Sequence, residues 1–181
     1  MKGRIDRMLK HIVWANIFII IAALLQSTLF SRLFLFFHIN VVPDIALCVL
    51  VFSAYVNGTM TGQLTGFSSG LFLDFLSSAP LGLNLFIRTI VGALAGMIRG
   101  TLILDAVFLP AGLCAAATLL KAFLLFVLNI LFSGTIPAYP WAGSTLWIEL
   151  LFNTLLAPFL FDFLKMFDKL LIRDRAHDNN T

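Results

Sequence analysis

The stretch from Gly58 to Gly100 constrains this chain more than any other. It reads as two apolar helices joined by the turn Ser77-Ser78-Ala79-Pro80. The first carries Gly58, Gly62, Gly66 and Gly70, and the next step of four lands on Asp74. The second carries Arg88, Gly92, Gly96 and Gly100. Residues four apart share a helix face, so each helix shows a smooth stripe ending in a charge. Small residues at that spacing let two backbones approach closely, a device suited to helices in lipid. Gly62, Gly66, Gly70, Gly92 and Gly96 are expected as helix-packing positions, with contact inside the chain favoured over a subunit interface. Folded antiparallel, the hairpin brings Asp74 and Arg88 to the same end, and the reading pairs them.

Composition decides the surroundings. Of 181 residues 60% are hydrophobic and 12% charged, against about 25% charged in a soluble globular domain. Such a chain has too little polar surface to enclose its apolar residues in water. It reads as an all-α integral membrane protein, a bundle of six transmembrane helices. The net charge of +3 does not point to nucleic acid, because the basic residues gather at the two termini. Cys48 and Cys114 lie in apolar runs without a CxxC pattern and read as small buried hydrophobes. His11, His38 and His177 are scattered, so neither a metal nor a cofactor is expected.

In order, the expected domains are a basic N-terminus (1–11), the membrane domain (12–164) and a basic C-terminal tail (165–181). The spans are read at 12–30, 43–56, 59–76, 81–98, 106–132 and 144–164. Pro43-Asp44 opens the second, where an acid meets the positive end of a helix dipole. Asp105 is the expected N-cap of the fifth, and Pro158 a kink in the sixth. The third span carries Thr59, Thr61, Gln63, Thr65, Ser68 and Ser69. So polar a helix is expected in the middle of the bundle. With six spans both termini share one side. That side holds Lys2, Arg4, Arg7, Lys10, Arg99, Lys165, Lys169, Arg173 and Arg175, against Arg32 on the other. The bias places both ends in the cytoplasm. Trp14 at one face, with Trp141 and Trp147 at the other, fits aromatic belts.

Asp44, Asp74, Arg88, Lys121 and Glu149 fall within spans, all in the outer half by helical rise. A charge there costs at least a few kcal/mol and needs a partner or water. One reading makes Asp74 with Arg88, and Lys121 with Glu149, structural ion pairs. The other makes all five the lining of an outward-facing polar cavity for a ligand or a partner's segment. Gly66-Phe67-Ser68-Ser69-Gly70 matches G-x-S-x-G, but a nucleophile elbow needs a strand-to-helix turn and a histidine base. Here the stretch lies inside a polar span and no histidine occurs between His38 and His177, so no enzyme is expected. Asn57-Gly58-Thr59 is a glycosylation sequon by pattern only, on the cytoplasmic side of this topology.

The order of these features resembles the rod shape-determining protein MreD family. The matching stretches are Pro43-Asp44, Gly66-x-x-x-Gly70-x-x-x-Asp74, Pro80-Leu81-Gly82-Leu83, Gly92 to Gly100 with Arg99, and Ala157-Pro158-Phe159. Lys121 and the loop 133–143 have no place in that pattern. The resemblance covers nearly the whole chain and implies a non-enzymatic scaffold of the bacterial elongation (peptidoglycan, rod shape) machinery in the inner membrane. It implies MreC as partner, with MreB and the wall synthases reached indirectly, and leaves room for a homodimer. It further implies a fold similar to the substrate-binding subunits of energy-coupling-factor transporters, whose role is the alternative function.

Overall fold

The structure, a computed structural model, describes residues 9–26, 43–77, 79–99, 108–132, 136 and 144–167, and the backbone of residues 2–8. The described residues form six α-helices: α1 (Lys2–Leu25), α2 (Ile45–Asn57), α3 (Thr59–Leu76), α4 (Leu83–Met97), α5 (Phe108–Leu131) and α6 (Ser144–Lys165). Helix α1 starts well before the expected span, because the Lys, Arg, Met and Leu of the basic stretch are strong helix formers and carry the helix on. The expected cap Asp105, Arg32 and Trp141 lie outside the described residues, as does the tail beyond Phe167. Helices α5 and α6 are each long and apolar enough to cross a membrane.

The centre of the bundle is α2. It packs against every other helix, and Leu47, Leu50, Val51, Phe52 and Ala54 are almost wholly enclosed. Its sequence, IALCVLVFSAYVN, has no charged residue and no polar face. A helix apolar all round has no side to show to water and is stable only when surrounded. At 13 residues it is roughly 20 Å long, shorter than the ~30 Å hydrocarbon core of a bilayer. Phe52 meets Phe161 of α6 edge-on, with ring centroids 5.0 Å apart.

This corrects the expectation that polar α3 lies in the middle. Helix α3 instead exposes Met60, Leu64, Phe67, Leu71 and Phe75 along one side. Its two serine hydroxyls are bound within the helix itself. Ser68 Oγ donates to the Leu64 carbonyl at 2.7 Å, and Ser69 Oγ to that of Gly66 at 3.3 Å. A serine that bonds its own helix is no longer strongly polar to its neighbours.

Helices α3 and α4 form the closest pair, and their glycine stripes face each other. A Cβ added at Gly62 would overlap the Gly92 carbonyl oxygen, and one at Gly92 the Gly62 carbonyl oxygen. At Gly66 it would strike the Arg88 carbonyl, and at Gly96 it would stand 2.6 Å from Thr59 Cα. The chain turns from α2 into α3 at Gly58, whose φ of 94° is open to glycine at little cost. Beside it Arg99 Nη1 donates to the Asn57 carbonyl at 3.0 Å, a cation at a helix C-terminus.

Candidate functional site

At the opposite end of α2 from Arg99, four helices bring together charges of alternating sign. Asp44 is the N-cap of α2, and its Oδ1 accepts from the Leu47 N–H at 3.0 Å. The same oxygen accepts from Arg88 Nη2 of α4 at 2.9 Å. Its other oxygen accepts from Lys121 Nζ of α5 at 2.8 Å, and Lys121 also reaches Glu149 Oε1 of α6 at 2.7 Å. The order Glu149–Lys121–Asp44–Arg88 sums to zero formal charge. Asp44, Arg88 and Glu149 are buried, whereas the Lys121 side chain keeps 22% of its surface. Such a chain of pairs stabilises only if its members are also hydrogen-bonded, since desolvation takes back much of the attraction.

Two uncharged residues complete it, and neither was foreseen. The backbone N–H of Asp44 donates to Asn153 Oδ1 at 2.9 Å. Asn153 Nδ2 donates to Thr118 Oγ1 at 2.9 Å, and Thr118 in turn to the Cys114 carbonyl at 2.8 Å. The signal was there in the spacing. Asn153 follows Glu149 by four and Thr118 precedes Lys121 by three, so each shares a face with a charge already singled out. The amide group of Asn153 thus ties α6 to the N-cap of α2 and to α5.

Asp74 belongs to a different arrangement, and its expected pairing with Arg88 is corrected. Its Oδ2 accepts from the N–H groups of Gly82 at 2.9 Å and Leu85 at 3.1 Å. Its Oδ1 accepts from the N–H of Asn84 at 2.9 Å and from the Asn84 side chain at 3.0 Å. These amides belong to the first turn of α4, which has no partners within its own helix. A carboxylate among them is favoured by the helix dipole as well. Asp74 therefore clamps the α3–α4 turn, and Arg88, further along α4, is left to reach Asp44. Gly82 joins this clamp with a φ of 94°.

Between the clamp and the charged chain lies a cavity of about 450 Å³. Asp44, Arg88 and Lys121 line it, together with Asn84, Ser77 and Ala23. Each reading of the five charges is met in part: of the two expected pairs only Lys121–Glu149 is present, and Asp44, Arg88 and Lys121 line a cavity whose described lining does not include Asp74 or Glu149. The G-x-S-x-G stretch lies within continuous α3, and Ser68 Oγ lies 3.0 Å from Asn16 Oδ1 of α1, an alternative acceptor for its one proton. Among the described residues no group of three His, Cys, Asp or Glu is placed to hold a metal ion.

A family model described as rod shape-determining protein MreD matches residues 6–167, which takes in nearly all of α1 and the whole of the other five helices. No curated protein and no solved structure matches the chain.

Proposed function

Since the chain belongs to the rod shape-determining protein MreD family, we propose that it is a non-enzymatic membrane scaffold of the bacterial elongation machinery, binding MreC and through it MreB and the wall synthases. The observation that carries this reading is the extent of the match, which runs from α1 past the end of α6. The interior agrees with a passive role. Asp44, Glu149, Arg88 and Lys121 are engaged with one another and Asp44 with Asn153, while Asp74 holds the turn into α4, which suits a locked bundle. Apolar side chains cover the outside of α3, α5 and α6, among them Phe67, Phe123 and Phe159. Faces of that kind suit lipid and a partner's apolar helix alike.

In this reading six helices cross the inner membrane with both termini in the cytoplasm, the side favoured by the Lys and Arg count. The charged chain then lies toward the periplasm. Capture of the full chain in a mild detergent, followed by mass spectrometry, tests the partner. MreC is expected in the eluate. Capture of a nucleotide-hydrolysing transporter module in its place would overturn the scaffold. The cavity at Asp44, Arg88 and Lys121 favours one alternative, a substrate-binding subunit of an energy-coupling-factor transporter. That alternative requires saturable uptake of a vitamin-like solute that disappears when the gene is deleted.

A further inference from the structure

The cavity beside Asp44 is more than spare space between helices. Its volume of about 450 Å³ is within the roughly 300–1,000 Å³ range of small-molecule sites. A void that large holds solvent or a ligand when its wall is polar. The wall here is unevenly charged: Arg88 and Lys121 line it against Asp44, whereas Glu149, which completes neutrality, is not among the lining residues. Among the described lining residues two cations thus stand against one carboxylate.

Arg88 supplies a second and independent sign. The residue is 5% exposed, and its Nη2 is bound to Asp44. Its Nη1 has no hydrogen-bond partner and no accessible surface. A buried guanidinium nitrogen without an acceptor carries a desolvation cost that the rest of this network avoids. Arg88 is itself one of the residues lining the cavity, so an oxygen bound there would supply the acceptor that Nη1 lacks. Lys121, the most accessible of the charged chain, offers its ammonium from the side. Asn84 and Ser77 add neutral polar groups, and Ala23, Leu73 and Leu76 an apolar wall.

The geometry points to a binding site for a singly charged anionic group, a phosphodiester or a carboxylate, held by Arg88 and Lys121, with an apolar body against α1 and α3. This site does not depend on the scaffold role, which MreC capture tests separately. Either an anionic lipid headgroup or a free phosphate offers that chemistry, and the test separates them.

The full chain is purified in a neutral detergent, and its melting temperature is followed on adding dihexanoylphosphatidylglycerol, dihexanoylphosphatidylcholine or inorganic phosphate. A saturable rise is expected with the anionic lipid, at a half-saturating concentration about tenfold below that of the zwitterionic one, whose choline cation is repelled by Arg88 and Lys121. A saturable rise with inorganic phosphate alone would keep the anion site and assign it to a soluble ligand. Arg88→Gln is expected to weaken binding by about tenfold or more. Because that variant also breaks a buried pair, Ala23→Phe serves beside it, filling the cavity while leaving every charge in place. It should abolish the response with the four charged residues intact. Equal responses to both lipids, no response to any probe, or an undiminished response in a folded Ala23→Phe protein would overturn the site.

Discussion

Two regions hold this bundle together by opposite means. Where α3 meets α4, backbone lies on backbone, and nothing larger than hydrogen fits at Gly62, Gly66 or Gly92. At the start of α2, long side chains from four helices meet through Asp44 and Asn153. The glycine seam gains from dispersion and close approach, is short-ranged, and tolerates no added atom. The charged chain spans more distance and joins helices that do not follow one another. Each of its members depends on the others, because a buried charge that loses its partner keeps its desolvation cost. Close contact fixes a neighbouring pair, and charge fixes the more distant assembly.

The largest effect is expected where the chain of charges is cut at its middle. Asp44→Ala removes the acceptor of both Arg88 and Lys121 and the α2 cap. A loss of about 5 kcal/mol, the upper end for breaking a buried pair, should show as collapse of folded yield in detergent. A double-mutant cycle sharpens the point. Asp44→Asn with Arg88→Gln should show a coupling above about 1 kcal/mol, while Asp74→Asn with Arg88→Gln, which share no partner, should add within about 0.5 kcal/mol. Strong coupling in the second cycle would restore the Asp74–Arg88 pair.

Next comes the seam. Gly62→Ala places a methyl group against the Gly92 carbonyl and within 2.8 Å of Ala54 Cβ. Because backbone on the other side has to move, roughly 3 kcal/mol is expected to be lost, the high end for overpacking. Chemical denaturation of the purified protein measures it. A neutral Gly62→Ala would mean that α3 and α4 stand further apart than described.

The contrast also explains what could be read before any coordinates. The seam was legible because a spacing of four is a local property, and helices facing each other across a short turn meet with little choice. The ends of α3, α5 and α6 followed from the apolar runs for the same reason. The partners of each charge were not legible. Asp44 meets Arg88 across 44 positions and Asn153 across 109, contacts set by how helices rotate about α2. The partner of Asp74 is not legible because the amides of a helix N-terminus satisfy a carboxylate as well as a nearby cation does. The place of α3 was not legible either, because Ser68 and Ser69 bind their own helix carbonyls and so weigh less as polar groups than their letters suggest.

A smaller effect belongs to the clamp that lies between the two regions. Asp74→Asn keeps the shape of the side chain but loses the charge that faces the N–H groups of Gly82, Asn84 and Leu85. The loss should be about 1–2 kcal/mol, in the range of an N-cap replacement, read as faster amide exchange at residues 82–85. Unchanged protection there would show that the turn is held by the glycine seam alone.

The smallest effect should have the opposite sign and separates crowding from glycine as such. Gly112 lies in the first part of α5, and a Cβ there would meet nothing within 4 Å. With a helical backbone and open space, alanine costs no contact and removes freedom from the unfolded chain. Gly112→Ala should therefore stabilise the protein by about 0.5–1 kcal/mol. Gly82 is equally open but has a φ of 94°, where a side chain costs about 1–2 kcal/mol. Gly82→Ala should then destabilise despite the empty space around it. The same substitution at Gly62, Gly82 and Gly112 thus isolates contact, backbone conformation and helix propensity in turn. A loss at Gly112 comparable to that at Gly62 would mean that α5 has a close neighbour on this face, and that packing by small residues extends beyond the α3–α4 pair.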